Sequence, residues 1–201
     1  MSVKSIMDHY SVILASQSAR RKEILENIGM RFRIVVSHDE EKRIGAAPEE
    51  IVKNIAVCKA LDVWKQTEAE PETDKPRLVI AADTIVLLDD EILGKPVSPA
   101  HAAEMLARLS GRWHKVLTGV CLKTADALIS FCESTEVSVY PLTPEDIREY
   151  VATGEPMDKA GAYGAQGIFS RHVCGIRGDF FNVIGLPAAR LVHEADKLIA
   201  R

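Results

Sequence analysis

The chain has 201 residues, 47% of them apolar and 27% charged, with a net charge of −4 and a mean hydropathy near zero. That is enough to bury one substantial core in a soluble globule. A pI near 5.9 excludes a surface that tracks nucleic acid throughout, so no stable nucleic-acid partner is expected and any anion site must be local. No segment approaches the roughly 20 apolar residues of a bilayer-spanning helix. The opening MSVKSIMDHYSVILAS has only a short apolar run broken by Asp8 and His9, unlike a secretory leader.

Residues 1–10 read as an extension, ordered or frayed, on a single domain covering 1–201. SVILA (11–15) then reads as a short buried strand. SARRKEILENIG follows as a helix, with Ser18 as its N-cap, Ile24, Leu25 and Ile28 at helical spacing, and Gly29 as its stop. RFRIVV (31–36) alternates polar and apolar residues and predicts a second strand. SHDEEKRIGAAPEE is a charged loop, and Pro48, Glu49 and Glu50 open a helix running to about Trp64. Residues 66–76, QTEAEPETDKP, read as a solvated connection.

RLVIAAD (77–83) predicts a buried strand ending at Asp83. TIVLLDDEILGKP predicts a hairpin turning at Asp89 and Asp90, near a D-G signal but without the glycine. Ser98 and Pro99 open a helix closed by Gly111, and two strand-like runs follow, RWHKVLTGVCLKT and LISFCESTEVSVYPL. In TPEDIREYVATG, Thr143 is the N-cap, Pro144 the first helical residue and Gly154 the stop. The glycine-rich stretch 155–187 holds two strand-like pieces, GIFSRHV and DFFNVIG, before a last helix, AARLVHEADKLIA. Strands, helices and hairpins in this order predict an α/β or α+β fold with a mixed sheet.

Four cysteines, Cys58, Cys121, Cys132 and Cys174, lack C-x-x-C or zinc spacing and read as reduced, mostly buried thiols of a cytoplasmic protein. His172 and Cys174 alternate on one strand face but read as packed rather than metal-ligating residues.

Neither common phosphate loop is present: Gly94-Lys95 is followed by proline, and GAYGAQG spaces its glycines as G-x-x-G-x-x-G. What remains is ASQSARR, where the strand turns into the helix. Cations are disfavoured in a first helical turn, so Arg20 and Arg21, beside free backbone N–H groups and the hydroxyls of Ser16 and Ser18, are what an anion site would need. Asp83, at the end of an apolar strand, is costly to leave charged unless a cation or cleft faces it, and it is a metal-ligand or general-base candidate. Lys59 reads by default as a snorkelling stem on a helix face, Lys95 leaves a hairpin arm, and Asp39, Glu40 and Glu41 cluster in a loop. Guanidinium, ammonium and carboxylate groups at the ends of separate elements suit a polyphosphate with a divalent metal.

LASQSARR, the acidic pair after the second strand, KA at Lys59, AADTIVLLDDEILGKP, LSGRWHKVLTGV, DKAGAYGAQG and GDFFNVIGLP, in that order, resemble the Maf family of nucleoside triphosphate pyrophosphatases. The resemblance implies a Maf/inosine-triphosphatase-like fold, an elongated mixed sheet in two lobes with a nucleotide cleft between them. It implies a proton acceptor at Asp83 and a metal-holding acid at Glu41, with Glu40 as the alternative one register away. It places phosphate contacts at Ser16, Arg20, Arg21, Lys59 and Lys95, and Mg²⁺ or Mn²⁺ as the cofactor. DKAGAYGAQG and the threonine after Asp83 are similar to the branch acting on dTTP and UTP, which assigns substrate selection to Arg20, Thr84 and Gln166. Ala19 stands where the family usually has proline, which loosens the helix start without removing a contacting group. Some members are named septum-formation inhibitors, so the resemblance also carries an alternative: a nucleotide-binding regulator of cell division acting through partners. For a small soluble enzyme, a homodimer is the default expectation.

Overall fold

The computed structural model describes residues 2–38, 44–70 and 74–199. Its elements in chain order are α1 (Val3–His9), β1 (Ser11–Leu14), α2 (Ala19–Asn27), β2 (Arg33–Ile34), α3 (Pro48–Gln66), β3 (Arg77–Leu88), β4 (Glu91–Leu93), α4 (Pro99–Leu109), β5 (Trp113–Lys123), β6 (Leu128–Val139), α5 (Pro144–Ala152), β7 (Val173–Arg177), α6 (Phe180–Val183) and α7 (Ala188–Ile199). Among the described residues the strands form one sheet in the order β2-β1-β3-β5-β6-β7, with β4 paired to β3. β1 lies parallel to β2 and to β3, with Leu14 opposite Ile34 and Ile80. β4 and β7 are antiparallel to β3 and β6. This is the mixed sheet that the sequence predicts.

The chain divides into two compact units. The first takes Met1–Asp83, Thr118–Glu133 and Gly185–Arg201, and the second takes Thr84–Leu117 and Ser134–Ile184.

The first unit is built where α3 lies on the sheet. Ala56, Ala60 and Val63 pack against Ile13 and Ala15 of β1, Val79 and Ala81 of β3, and Cys121 of β5, all buried. Burial pushes the Cys121 thiol up to about 12, which leaves it inert. The approach of α3 to β5 is closer than side chains would allow: a Cβ on Gly119 would stand 2.3 Å from the carbonyl of Val52. Ile6 of α1 is fully buried, and Tyr10 donates its hydroxyl to the carbonyl of Leu198 at 3.2 Å, so the first ten residues include a docked helix.

The second unit centres on aromatic rings. Tyr163 and Tyr150 flank Phe169, with ring centroids 5.0 and 4.9 Å away. The Tyr163 hydroxyl lies 2.6 Å from His114 Nε2, and burial holds His114 down at about 4, so its ring is neutral near pH 7. Ser98 caps α4 by accepting from His101 N at 3.1 Å. Thr143 and Asp146 form a reciprocal capping box on α5.

Several local expectations change. β3 does not end at Asp83; Thr84, Ile85 and Val86 carry the β-branched apolar pattern on to Leu88, which puts Asp83 inside a 12-residue strand. β2 spans only Arg33–Ile34, both exposed, because the outermost strand of this sheet needs no buried face. The 66–76 connection starts inside the core: Thr67 is buried, its hydroxyl donates to Val63 O at 2.9 Å, and the Arg77 guanidinium donates to its carbonyl. Ile168–His172 is a 3-10 turn, and the strand lies just after it at Val173–Arg177. DFFNVIG is a helical turn, started by the Asp179 carboxylate accepting from Phe181 N at 2.7 Å. The hairpin does turn at Asp89 and Asp90, with Asp89 itself taking φ +55 where the sequence lacks glycine.

Gly119→Ala is expected to destabilise the protein by about 3 kcal/mol, the upper range for overpacking, because the obstacle is helix backbone rather than a movable side chain. Urea unfolding measures this; a change within about 0.5 kcal/mol would show that α3 can move away freely.

Candidate functional site

Parallel pairing of β1 with β3 places the chain that leaves β1 beside the middle of β3. Ala15 N donates to Ile80 O at 2.8 Å, so the Ser16 turn emerges next to the segment leading to Asp83. The mouth formed by the carboxyl ends of parallel strands is where open α/β sheets bind ligands.

Ser16, buried, organises that turn. Its Oγ accepts from Ser18 N at 3.2 Å and from Arg21 Nη1 at 3.2 Å. Ser18 stands at the N-cap position of α2, but its side chain makes no cap bond; Ser16 instead holds the backbone N–H of Ser18 and the Arg21 side chain. Arg21 also donates Nε to Gly185 O at 2.9 Å, so its guanidinium fastens the β1 turn to the segment before α7. Arg20, half-buried, sits in the first turn of α2.

Asp83 is 9% exposed. Its Oδ1 accepts from Lys59 Nζ at 2.8 Å, with the two side chains 13% and 14% exposed. Lys59 is therefore no snorkelling stem. It extends from α3 between Cys58 and the buried Ala60, and the packing of Ala56 and Ala60 on the sheet brings its ammonium to the strand. An unpaired carboxylate at this depth would cost several kcal/mol, so the pair contributes to stability as well as being a chemical group.

Ser16, Arg20, Arg21, Lys59 and Asp83 all belong to the first unit, on the turn after β1 and on α2, α3 and β3. Thr84 follows Asp83 on β3 with its side chain on the opposite face, half-buried. Lys95 and Gln166 are exposed and lie in the second unit with Thr84. Their two segments are joined there, since Gly161 N donates to Gly94 O at 3.0 Å. Glu41 and its alternative Glu40 lie outside the described residues.

Sequence reasoning missed the support beneath Gln166. Gly161 has φ +68, and a Cβ there would meet the Val86 side chain at 2.9 Å; the glycine lets this loop lie directly on β3. Lys159, nearly buried, donates to the Glu155 carbonyl and the Asp158 carboxylate, each at 2.7 Å. The only signal was the density of glycine and alanine in AGAYGAQG.

Among the described residues no three His, Cys, Asp or Glu side chains gather as a metal-binding group. Of the four cysteines only Cys121 is buried; Cys58 and Cys132 are half-buried, and Cys174 is exposed rather than packed, donating to Ser138 Oγ at 3.0 Å. None of the helices of the described residues is long and apolar enough to cross a membrane.

The hydroxyl-bearing turn with its paired arginines thus follows β1, and the lysine-paired aspartate lies on β3, the parallel neighbour of β1. The profile of the family described as "Maf-like protein" matches residues 11–198. The "dTTP/UTP pyrophosphatase" of a Bacillus cereus strain is 48% identical over 185 residues, covering 91% of this chain and 93% of its own; that of Bacillus cytotoxicus is 49% identical over 187 residues, covering 90% and 92%. The chain belongs to the Maf-like family. The Staphylococcus aureus Ham1 protein aligns with a TM-score of 0.41 at 14% identity, over 64% of this chain and 71% of its own.

Lys59→Met should destabilise the protein by about 3 kcal/mol, since it strands a buried carboxylate. The double variant Lys59→Met/Asp83→Asn should recover at least half of that loss in a urea-unfolding cycle. Additive losses would mean that the two side chains do not interact.

Proposed function

We propose that this protein is a nucleoside triphosphate pyrophosphatase that hydrolyses dTTP and UTP to the monophosphate and pyrophosphate, clearing nucleotides from the cytoplasmic pool. The observation that carries this reading is the near-half identity, over nine-tenths of the chain, to relatives named for that activity. The arrangement of Ser16, Arg21, Lys59 and Asp83 supports it independently.

The chemistry demands little covalent participation from the protein; positioning and charge stabilisation dominate. Arg20, Arg21, Lys59 and Lys95 neutralise the triphosphate, and the Ser16 turn offers its hydroxyl and backbone N–H groups. Asp83 accepts the proton of the attacking water as that water's oxygen bonds to phosphorus and the bridging P–O bond of the anhydride breaks. Lys59 serves two partners in turn: it neutralises Asp83 in the free protein, and a bound triphosphate competes for the same ammonium and leaves the carboxylate freer to take a proton.

A divalent cation, Mg²⁺ or Mn²⁺, belongs to this reading. Mg²⁺ is usually held by one or two carboxylates with substrate phosphates and water, and Asp83 with Glu41 is a donor set of that size. Bound there, the ion would add charge neutralisation at the anhydride and acidify water. Thr84 and Gln166 are assigned to selection of the base, an amide being able to donate to and accept from a pyrimidine edge.

Incubation with UTP, dTTP, CTP and GTP, with and without Mg²⁺ or Mn²⁺, should yield UMP or dTMP with equimolar pyrophosphate, and little turnover of GTP. Asp83→Asn should fold and lose about 10²–10³ in kcat. Release of orthophosphate and UDP would contradict the reaction assigned, and near-normal turnover by Asp83→Asn would remove that residue from it.

A further inference from the structure

The loop that carries Gln166 is held at both ends by one pair of side chains. Glu155 follows α5 directly, and its carboxylate divides between two donors: Oε1 accepts from the Tyr150 hydroxyl at 3.0 Å and Oε2 accepts from the backbone N–H of Ile168 at 3.2 Å. The Tyr150 hydroxyl in turn accepts from the backbone N–H of Gly164 at 3.2 Å. Gly164 and Ile168 thus hang from one Tyr150–Glu155 unit, and Gln166 is the residue midway between them.

The sequence of the loop is cut to fit this carboxylate. A Cβ on Gly167 would lie 3.0 Å from Glu155 Oε1, and one on Gly164 would lie 2.8 Å from Lys159 Cε and 3.1 Å from Glu155 Oε1. Gly167 also takes φ +136, open to glycine and rarely to other residues. Both glycines are therefore where the backbone wraps the Glu155 head group. Tyr150 is 1% exposed and stacks on Phe169, so the hydroxyl end of the clamp is anchored in the core of the second unit. Burial holds the phenol above its ordinary range, with the Gly164 bond opposing it and the Glu155 bond and charge adding to it, so it remains a donor to Glu155. Gln166 itself is exposed at the crown.

We infer that Glu155, acting with Tyr150, is a positioning residue that fixes the Gln166 loop in its base-reading conformation and so sets selectivity for pyrimidine triphosphates. The inference rests on the proposed pyrophosphatase activity. Glu155 touches neither phosphate nor metal in this account; it acts by removing alternative loop conformations, which would otherwise lower the fraction of protein able to read the base.

The test compares wild type, Glu155→Ala, Glu155→Gln and Tyr150→Phe for kcat and KM on UTP and GTP, with amide exchange at Gly164 and Ile168 followed by NMR. Glu155→Ala should raise KM for UTP about tenfold and shrink the UTP-over-GTP ratio of kcat/KM by a similar factor, with kcat changed less than about threefold. Both amides should exchange faster. Glu155→Gln cannot accept from both donors, and Tyr150→Phe releases only one end, so each should shift the same quantities by about threefold. If Glu155→Ala does not fold, these two conservative variants decide. Folded variants that retain the wild-type KM and nucleotide ranking, whatever their melting temperature, would reduce Glu155 to a structural role and overturn the inference. A wild type that hydrolyses neither UTP nor dTTP would instead overturn the activity on which it rests.

Discussion

A carboxylate inside a strand of buried residues can be charged only if a cation is brought to it. Ala81 and Ala82, both fully buried, precede Asp83 on β3, and β3 offers no neutralising neighbour. The cation comes from α3, through the 2.8 Å contact of Lys59. For Lys59 to arrive, α3 must lie flat on the sheet, which Ala56 and Ala60 permit with their short side chains and Gly119 permits by having none. A run of small residues in the core thus sets the position of one ion pair. The pair, in turn, is where folding energy and chemistry meet.

The two units carry different kinds of site residue. In the first, groups suited to phosphate and proton transfer stand on regular elements or on a turn tied down by Ser16 and Arg21, which suits groups that must be held to within a fraction of an ångström. In the second, Gln166 stands on a loop between two short 3-10 turns, where rigidity has to come from side chains as well. Tyr163 against His114, Gly161 against Gly94 and Tyr150 with Glu155 supply it. A loop held by discrete contacts can change its selectivity without disturbing the sheet, which fits its assigned role of reading the base.

Local signals in the sequence were legible where the physics is local. The capping box at Thr143 and Asp146, the Ser98 cap, the two-residue turn at Asp89 and the helix stop at Gly29 all follow from residues within a few positions of one another. Pairings between distant segments were not. Nothing near Lys59 announces Asp83, 24 residues on, so a cation of a buried ion pair reads from sequence as a snorkelling stem. Ser16 and Ser18 were both noticed, but which of them organises the turn depends on where Arg21 reaches. Alternation overreads RFRIVV, where only Arg33–Ile34 pairs as strand although Val35 still packs on the core, and GIFSRHV, where Phe169 is buried by tilted ring contacts in a 3-10 turn rather than by a sheet. The family resemblance supplied roles that residue-by-residue reading left open, above all for Thr84 and Gln166.

The central claim is that cations bind the triphosphate while Asp83 acts on the reaction. Calorimetric titration of a non-hydrolysable UTP analogue into wild type and Asp83→Asn, in the absence of divalent metal, separates the two roles. Loss of the negative charge beside the phosphates, with Lys59 released from its partner, should leave the Kd of Asp83→Asn equal to or tighter than that of wild type. A Kd weakened by tenfold or more would contradict the account, because it would mean that without metal Asp83 contributes binding that the account assigns to the cations.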